Sequence, residues 1–208
     1  MSKLLYIEAS PLKSRSHTIA VSQAFLDAYR AAHPRDEIER LDLWQVALPP
    51  FDAQTIEAKF AVLRRNSFTA AQLERWEALC RVSRHFNSAD KYVFSVPMWN
   101  FGVPYVLKHY IDVVTLPGEN WTWSAEAGYA TLLSGKKALA IYASANLHAE
   151  AGDGADDFQK PFMSRWLKFV GVEDIQEITL APTLSDPESV ARLRADAIGA
   201  ATQLAVKF

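Results

Sequence analysis

Short runs of strand-forming residues alternate with amphipathic helical stretches five times along this chain, and no other feature limits its possible folds so strongly. Residues 3–9 are a short run rich in strand formers, followed at once by a polar segment, as a strand feeding a loop would be. From Thr18 the apolar positions Val21, Phe25, Ala28, Tyr29 and Ala32 recur at helical spacing until His33 and Pro34 stop the pattern, with Ser16 or His17 at the helix start. Residues 37–43 alternate weakly and suit an edge strand. Pro49 and Pro50 then open a long, partly helical insertion over 44–70. Leu73, Trp76, Leu79, Cys80 and Phe86 share a helical face leading into a strand over 91–97. Further on, 104–116 reads as helix, 137–144 as strand, 158–170 as helix and 175–180 as strand. A last helix begins near Ser185, where Ser185 and Glu188 form a capping box with Pro187 in the first turn, and runs towards Val206. Parallel neighbours need crossover connections, so the pattern predicts an α/β chain: a doubly wound, five-stranded parallel sheet with helices on both faces, in a single domain over 1–208.

Composition narrows the partners. Lys and Arg total 22 against 24 Asp and Glu, a net charge of −2, which argues against a nucleic-acid binder or a polybasic membrane anchor. The most apolar stretch, 93–107, contains Pro97, Asn100 and Pro104 and falls short of the roughly 18 residues of a membrane span. Cys80 is the single cysteine, and Glu8 interrupts the first apolar run. A cytoplasmic location is expected. The five histidines form no H-E-x-x-H and one cysteine makes no zinc cluster, so no metal is expected. Cys80 reads as a small buried hydrophobe.

In a doubly wound sheet the ligand lies beyond the carboxyl ends of the strands, which directs attention to the loops 10–18, 97–101 and 143–148. The first places the hydroxyls of Ser10, Ser14, Ser16 and Thr18 and the cations Lys13 and Arg15 before a helix whose first N–H groups have no intrahelical partner, a setting for phosphate. Neither G-x-G-x-x-G nor G-x-x-x-x-G-K-[ST] is present, which favours a terminal monophosphate over a dinucleotide. In the second loop Pro97 fixes the chain, Gly102 permits a turn, and Met98, Trp99 and Phe101 flank the amide of Asn100. This suits either a flat heteroaromatic ring or plain packing. The third offers Ser144, Asn146 and His148; a lone histidine is more often structural, though this one could donate to an anionic ring oxygen. Trp121, Trp123 and Trp166 either line a substrate slot or belong to the core.

With these segments in hand, the sequence resembles the FMN-dependent NADH-azoreductases, flavodoxin-like quinone reductases of bacteria, over nearly its whole length. The resemblance is carried by Ser10, by Ser16, His17 and Thr18, and above all by Pro97, Met98, Trp99, Asn100 and Phe101, close to the family's Pro-Met-Tyr-Asn-Phe. Residues 107–112 and 134–137 are similar too. It implies a flavodoxin-like fold and a homodimer with one FMN per subunit, reduced by NADH, with NADPH also possible, and reoxidised by a quinone or an azo compound. It also implies that Ser10, Ser16, His17 and Thr18 hold the phosphate and that Met98, Trp99, Asn100 and Phe101 hold the isoalloxazine. The chemistry then occurs at flavin N5, with no catalytic acid or base required of the protein. Where the family often carries Ser-Arg-Gly-Gly, this chain has Ala143, Ser144, Ala145 and Asn146, and side-chain hydrogen bonds from Ser144 and Asn146 are expected to replace close backbone approach.

Two rivals follow. One is a quinone or nitroaromatic reductase without physiological azo activity, which shares the same site. The other is a non-catalytic flavodoxin-like electron carrier, which should be monomeric and strongly acidic on its docking face, unlike this nearly neutral chain.

Overall fold

The structure is a computed structural model and describes residues 1–64, 66–149 and 155–208. Five parallel strands form the central sheet: β1 (Lys3–Glu8), β2 (Glu37–Asp42), β3 (Lys91–Pro97), β6 (Lys136–Ala143) and β7 (Val172–Leu180), in the order β2-β1-β3-β6-β7. Strand order reverses between β1 and β3, because β2 was laid down on one side of β1 and every later strand on the other. The weakly alternating 37–43 segment is the edge strand expected of it. β1, β3 and β6 are buried on both faces, which is why their sequences read as nearly continuous apolar runs.

The period of two in each strand divides the core. Leu4, Tyr6, Val93, Leu139 and Ile141 face helices α1 (His17–Ala32) and α6 (Pro187–Lys207), meeting Val21, Phe25, Tyr29, Ala197 and Ala201. Leu5, Ile7, Phe94 and Tyr142 face the other way. There they pack with Phe86 of α3 (Ala70–Asn87), Leu107 and Tyr110 of α4 (Tyr105–Val114), and Met163, Trp166 and Leu167 of α5 (Lys160–Val170). The insertion over 44–70 contains one further helix, α2 (Ala53–Arg64), packed on α3.

Three details differ from the sequence reading. Residues 117–136, where the sequence pattern predicts no element, hold a two-stranded antiparallel hairpin of β4 (Trp121–Ser124) and β5 (Gly128–Thr131), outside the main sheet. β7 begins at Val172 rather than at 175, because Gly171 closes α5 at φ 99° and the chain enters the strand at once. The cap of α6 is Asp186, whose carboxylate accepts the Ser189 N–H at 2.9 Å; Ser185 lies one residue too early once Pro187 occupies the first turn. No helix among the described residues is long and apolar enough to cross a membrane.

Candidate functional site

The carboxyl ends of β1, β3, β6 and β7 converge on a cavity of about 160 Å³ lined by Ser10, Leu12, Arg15, Ser16, His17, Thr18, Pro97, Met98, Ala143, Ser144, Ala145 and Thr183. The three loops singled out from sequence therefore meet at one place, joined by a fourth segment after β7. Larger hollows exist, one of about 500 Å³ against α6 and one of about 400 Å³ around the amino ends of β6 and β7. The mouth at the strand ends is distinguished by its donors rather than its volume.

Its first wall is built for an anion. Ser16 is the N-cap of α1 and accepts the Ile19 N–H at 3.4 Å, while the Ser16 and Thr18 hydroxyls lie 3.1 Å apart. The N–H groups of His17 and Thr18, also in the first turn, take no protein acceptor among the described residues. His17 Nδ1 is shielded from solvent and has no hydrogen-bond partner among the described residues. Ser10 and Thr18 are buried, so these hydroxyls are held rather than solvated. Of the two loop cations, Arg15 lines the mouth, whereas Lys13 turns inward to Glu8 and Asp42.

From the second loop Pro97 and Met98 line the cavity as its second wall, and Trp99, Asn100 and Phe101 follow them as a tight turn outside the lining. Trp99 and Gly102 exchange both backbone hydrogen bonds at 2.9 and 3.0 Å, and Asn100 and Phe101 between them sit at φ 47° and 69°. Both central residues have positive φ, as a type I′ turn demands. The sequence reading assigned the conformational freedom to Gly102, but the left-handed positions are the two preceding residues, which are not glycines. Trp99 and Phe101 remain 37% and 49% exposed. Trp44, from the loop after β2, steadies Trp99: its ring centroid lies 5.7 Å from Trp99 and 5.5 Å from Tyr105, and its Nε1–H donates to Ala9 O at 3.0 Å.

The third wall is Ala143, Ser144 and Ala145; Asn146 and His148 of the same loop lie outside the cavity lining. Ser144 O accepts both the Thr183 N–H and the Thr183 hydroxyl, at 3.0 and 2.9 Å, and Ser144 Oγ donates to Asn146 O at 2.7 Å. Ser144 thus spends its proton on the loop itself, leaving only lone pairs towards the mouth. Asn146 is exposed, with a side-chain amide that bonds no protein group among the described residues. His148 Nδ1 lies 2.9 Å from Asp156 Oδ2, and its ring meets Phe101 edge-on at 5.7 Å, so the second and third loops touch. The His148 bond and the Ala149 N–H hold the Asp156 carboxyl below its usual range.

The tryptophans divide. Trp166 is 5% exposed, packs against Phe86 and Phe94 and donates Nε1–H to Thr115 Oγ1 at 2.9 Å, so within one chain it is a core residue and not a wall of the mouth. Trp121 is buried against Tyr129 and Phe169. Trp123 is exposed on the hairpin, and none of the three lines the cavity. Burial pushes the Cys80 thiol up to about 12, consistent with a packing role. Among the described residues no cluster suits a metal ion. Thr183 and Trp44 carry no sequence expectation for the site, and Arg15 carries one only as a loop cation. Treating the loop after β7 like the other strand ends would find Thr183.

A parallel sheet of this strand order, with an anion cradle at the first helix and an aromatic turn beside the switch point, defines a flavodoxin-like protein. Residues 2–204 match the family described as having the flavodoxin-like fold. The chain is 42% identical over 197 residues to an FMN-dependent NADH:quinone oxidoreductase of Desulfotalea psychrophila, covering 95% of this chain and 93% of that one. It is 43% identical over 188 residues to another from Burkholderia lata, covering 88% and 89%. Among solved structures, an FMN-dependent NADH-azoreductase from Bacillus anthracis in complex with FMN superposes with a TM-score of 0.83 at 27% identity, covering 99% and 100%. The chain belongs to the family of FMN-dependent NADH:quinone oxidoreductases and azoreductases.

Proposed function

We propose that this protein is an FMN-dependent NADH:quinone oxidoreductase that also reduces aromatic azo compounds. The observation that carries the reading is a pairing at one mouth: hydroxyls and N–H groups at the start of α1, the latter without an acceptor among the described residues, and lining residues Pro97 and Met98 that lead into an exposed aromatic turn after β3. The names of the relatives support the same cofactor and donor. The residues present fit FMN, since the N–H groups of His17 and Thr18, which take no acceptor among the described residues, are groups a terminal phosphate would satisfy.

Ser10, Ser16, His17 and Thr18, with Arg15 at the rim, hold the phosphate. Pro97, Met98, Trp99, Asn100 and Phe101 frame the ring, with apolar surface for its face and the Asn100 amide for its edge. Ser144, Asn146 and His148 close the opposite edge. The bound FMN supplies a ring that accepts a hydride and passes it on. The protein's work is to hold that ring rigidly, exclude water from one face and leave the other open to flat partners. NADH and then the quinone or azo compound occupy that face in turn, which gives ping-pong kinetics. Trp123, exposed on its hairpin, is kept as a contact for the acceptor. The working form is a homodimer in the cytoplasm, a reading supported by the exposed apolar residues around the mouth, Leu12, Trp99, Phe101 and Tyr105, and by a single buried cysteine.

The test is consumption of NADH with a simple benzoquinone and no other protein present. Steady turnover supports a reductase. A protein that binds FMN but turns over only with a protein partner would be the electron carrier instead.

A further inference from the structure

We infer that Lys13 is a positioning residue, clasped by two carboxylates so as to hold the hydroxyl-rich loop in its anion-binding conformation, and that it is not itself a phosphate ligand. This rests on the proposed reading of the mouth as a phosphate site.

In sequence Lys13 stands beside Arg15 as a cation of the loop, and a lysine beside a phosphate site would ordinarily be assigned to the phosphate. The structure sends it elsewhere. Glu8 and Asp42 are the last residues of β1 and β2 and are register partners, so their side chains emerge together beneath the loop. Lys13 Nζ lies 2.7 Å from Glu8 Oε1 and 2.5 Å from Asp42 Oδ2. Two of the three ammonium protons are thereby committed. Glu8 is fully buried, and its other oxygen is taken by Arg40, so the four side chains are neutral as a set. A buried carboxylate that lost one of its partners would keep a charge the surroundings could not solvate.

The clasp has a consequence in the backbone. Lys13 sits at φ 50°, the left-handed region that a lysine enters only when something holds it there. From that position its carbonyl accepts the Ser16 N–H at 3.0 Å, while the Arg15 N–H bonds to Leu12 O at 3.0 Å. These two bonds make the single turn Lys13–Arg15 that delivers Ser16 to the N-cap of α1 and Arg15 to the rim. The chain runs from buried carboxylates to Lys13, from Lys13 to the turn, and from the turn to the groups that face the anion.

The experiment compares FMN with riboflavin, which has the same ring and no phosphate, by flavin-fluorescence titration of the apoprotein. Wild type is expected to prefer FMN strongly. Lys13→Met should lower FMN affinity about tenfold or more and leave riboflavin affinity within about twofold. The deciding variant is Asp42→Asn, which leaves the Lys13 charge in place, removes a nearby negative charge and loosens the clasp, because Asp42 Oδ1 accepts the Trp44 N–H at 3.1 Å while Oδ2 takes Lys13, and an amide offers one oxygen to the two donors. A positioning role predicts that its FMN preference falls; a direct lysine–phosphate contact predicts that it stays or rises, and that result would overturn the proposal. Lys13→Arg, which can bridge both carboxylates, should recover most of the preference. Urea unfolding midpoints for each variant show that a folded protein is being titrated. A wild type that binds FMN and riboflavin equally would instead sink the phosphate reading on which the proposal rests.

Discussion

The Met98 N–H donates to Ala143 O across 2.8 Å, tying the end of β3 to the end of β6 where the aromatic turn meets the polar loop. Through this bond the two walls form one unit, and the next link continues outward: the Ser144 N–H bonds to Leu180 O at 3.2 Å, and Ser144 O is gripped by Thr183. Cofactor affinity should therefore respond to residues that touch no ligand.

Thr183→Val removes one donor to Ser144 O while keeping the shape of the side chain. Stability should fall by about 1 kcal/mol, the usual net value of such a bond, and FMN affinity severalfold. Urea denaturation of the apoprotein and flavin titration measure the two separately.

The type I′ turn sets stability against function. Phe101 at φ 69° is strained, so Phe101→Gly should leave the apoprotein as stable or up to about 1 kcal/mol more stable. The same variant loses the half-exposed ring beside His148, and flavin binding should weaken. A variant that is both less stable and equally tight in binding would contradict this assignment.

Trp99 and Trp166 should behave oppositely. Trp166→Phe gives up the bond to Thr115 and core volume, lowering stability by about 1–3 kcal/mol with the KM for a quinone unchanged within twofold. Trp99→Ala should raise that KM severalfold at little cost in stability. Thermal unfolding and steady-state kinetics on both variants decide the matter.

Acid stability should depend on Asp36. Its carboxyl is pushed down to about 2, first by the Ser2 N–H and then by the Tyr29 hydroxyl, with Lys91 nearby. Since the folded value lies below the unfolded value of about 3.9, the stabilisation is complete above that value and is lost as pH falls through about 4 towards 2. The difference in urea midpoint between wild type and Asp36→Asn should accordingly be largest near pH 6 and shrink towards pH 2.

How much could be read from the sequence depended on how local its cause was. The central strands and the start of α1 were legible because apolar period and capping are local: Ser16 stands as the N-cap of α1 as its position implied. The three loops were legible because a parallel sheet collects its strand ends on one side. What escaped was set by tertiary contact. The β4–β5 hairpin is short and mostly exposed, so its pattern carries little signal. The direction of the Lys13 side chain depends on β1 and β2 lying in register, and the fate of Trp166 on which face of α5 meets the sheet. A lysine near a phosphate loop and a tryptophan in a helix look the same in sequence whether or not they face the ligand.

The most direct test of the account is the visible absorption spectrum of the purified protein, with release and identification of its chromophore, before and after NADH is added without oxygen. The expected result is the bands of an oxidised flavin, FMN on denaturation, and bleaching by NADH. A colourless protein that takes up no added FMN, or one that binds it without bleaching, would contradict the assignment of this mouth to an FMN-dependent NADH oxidoreductase.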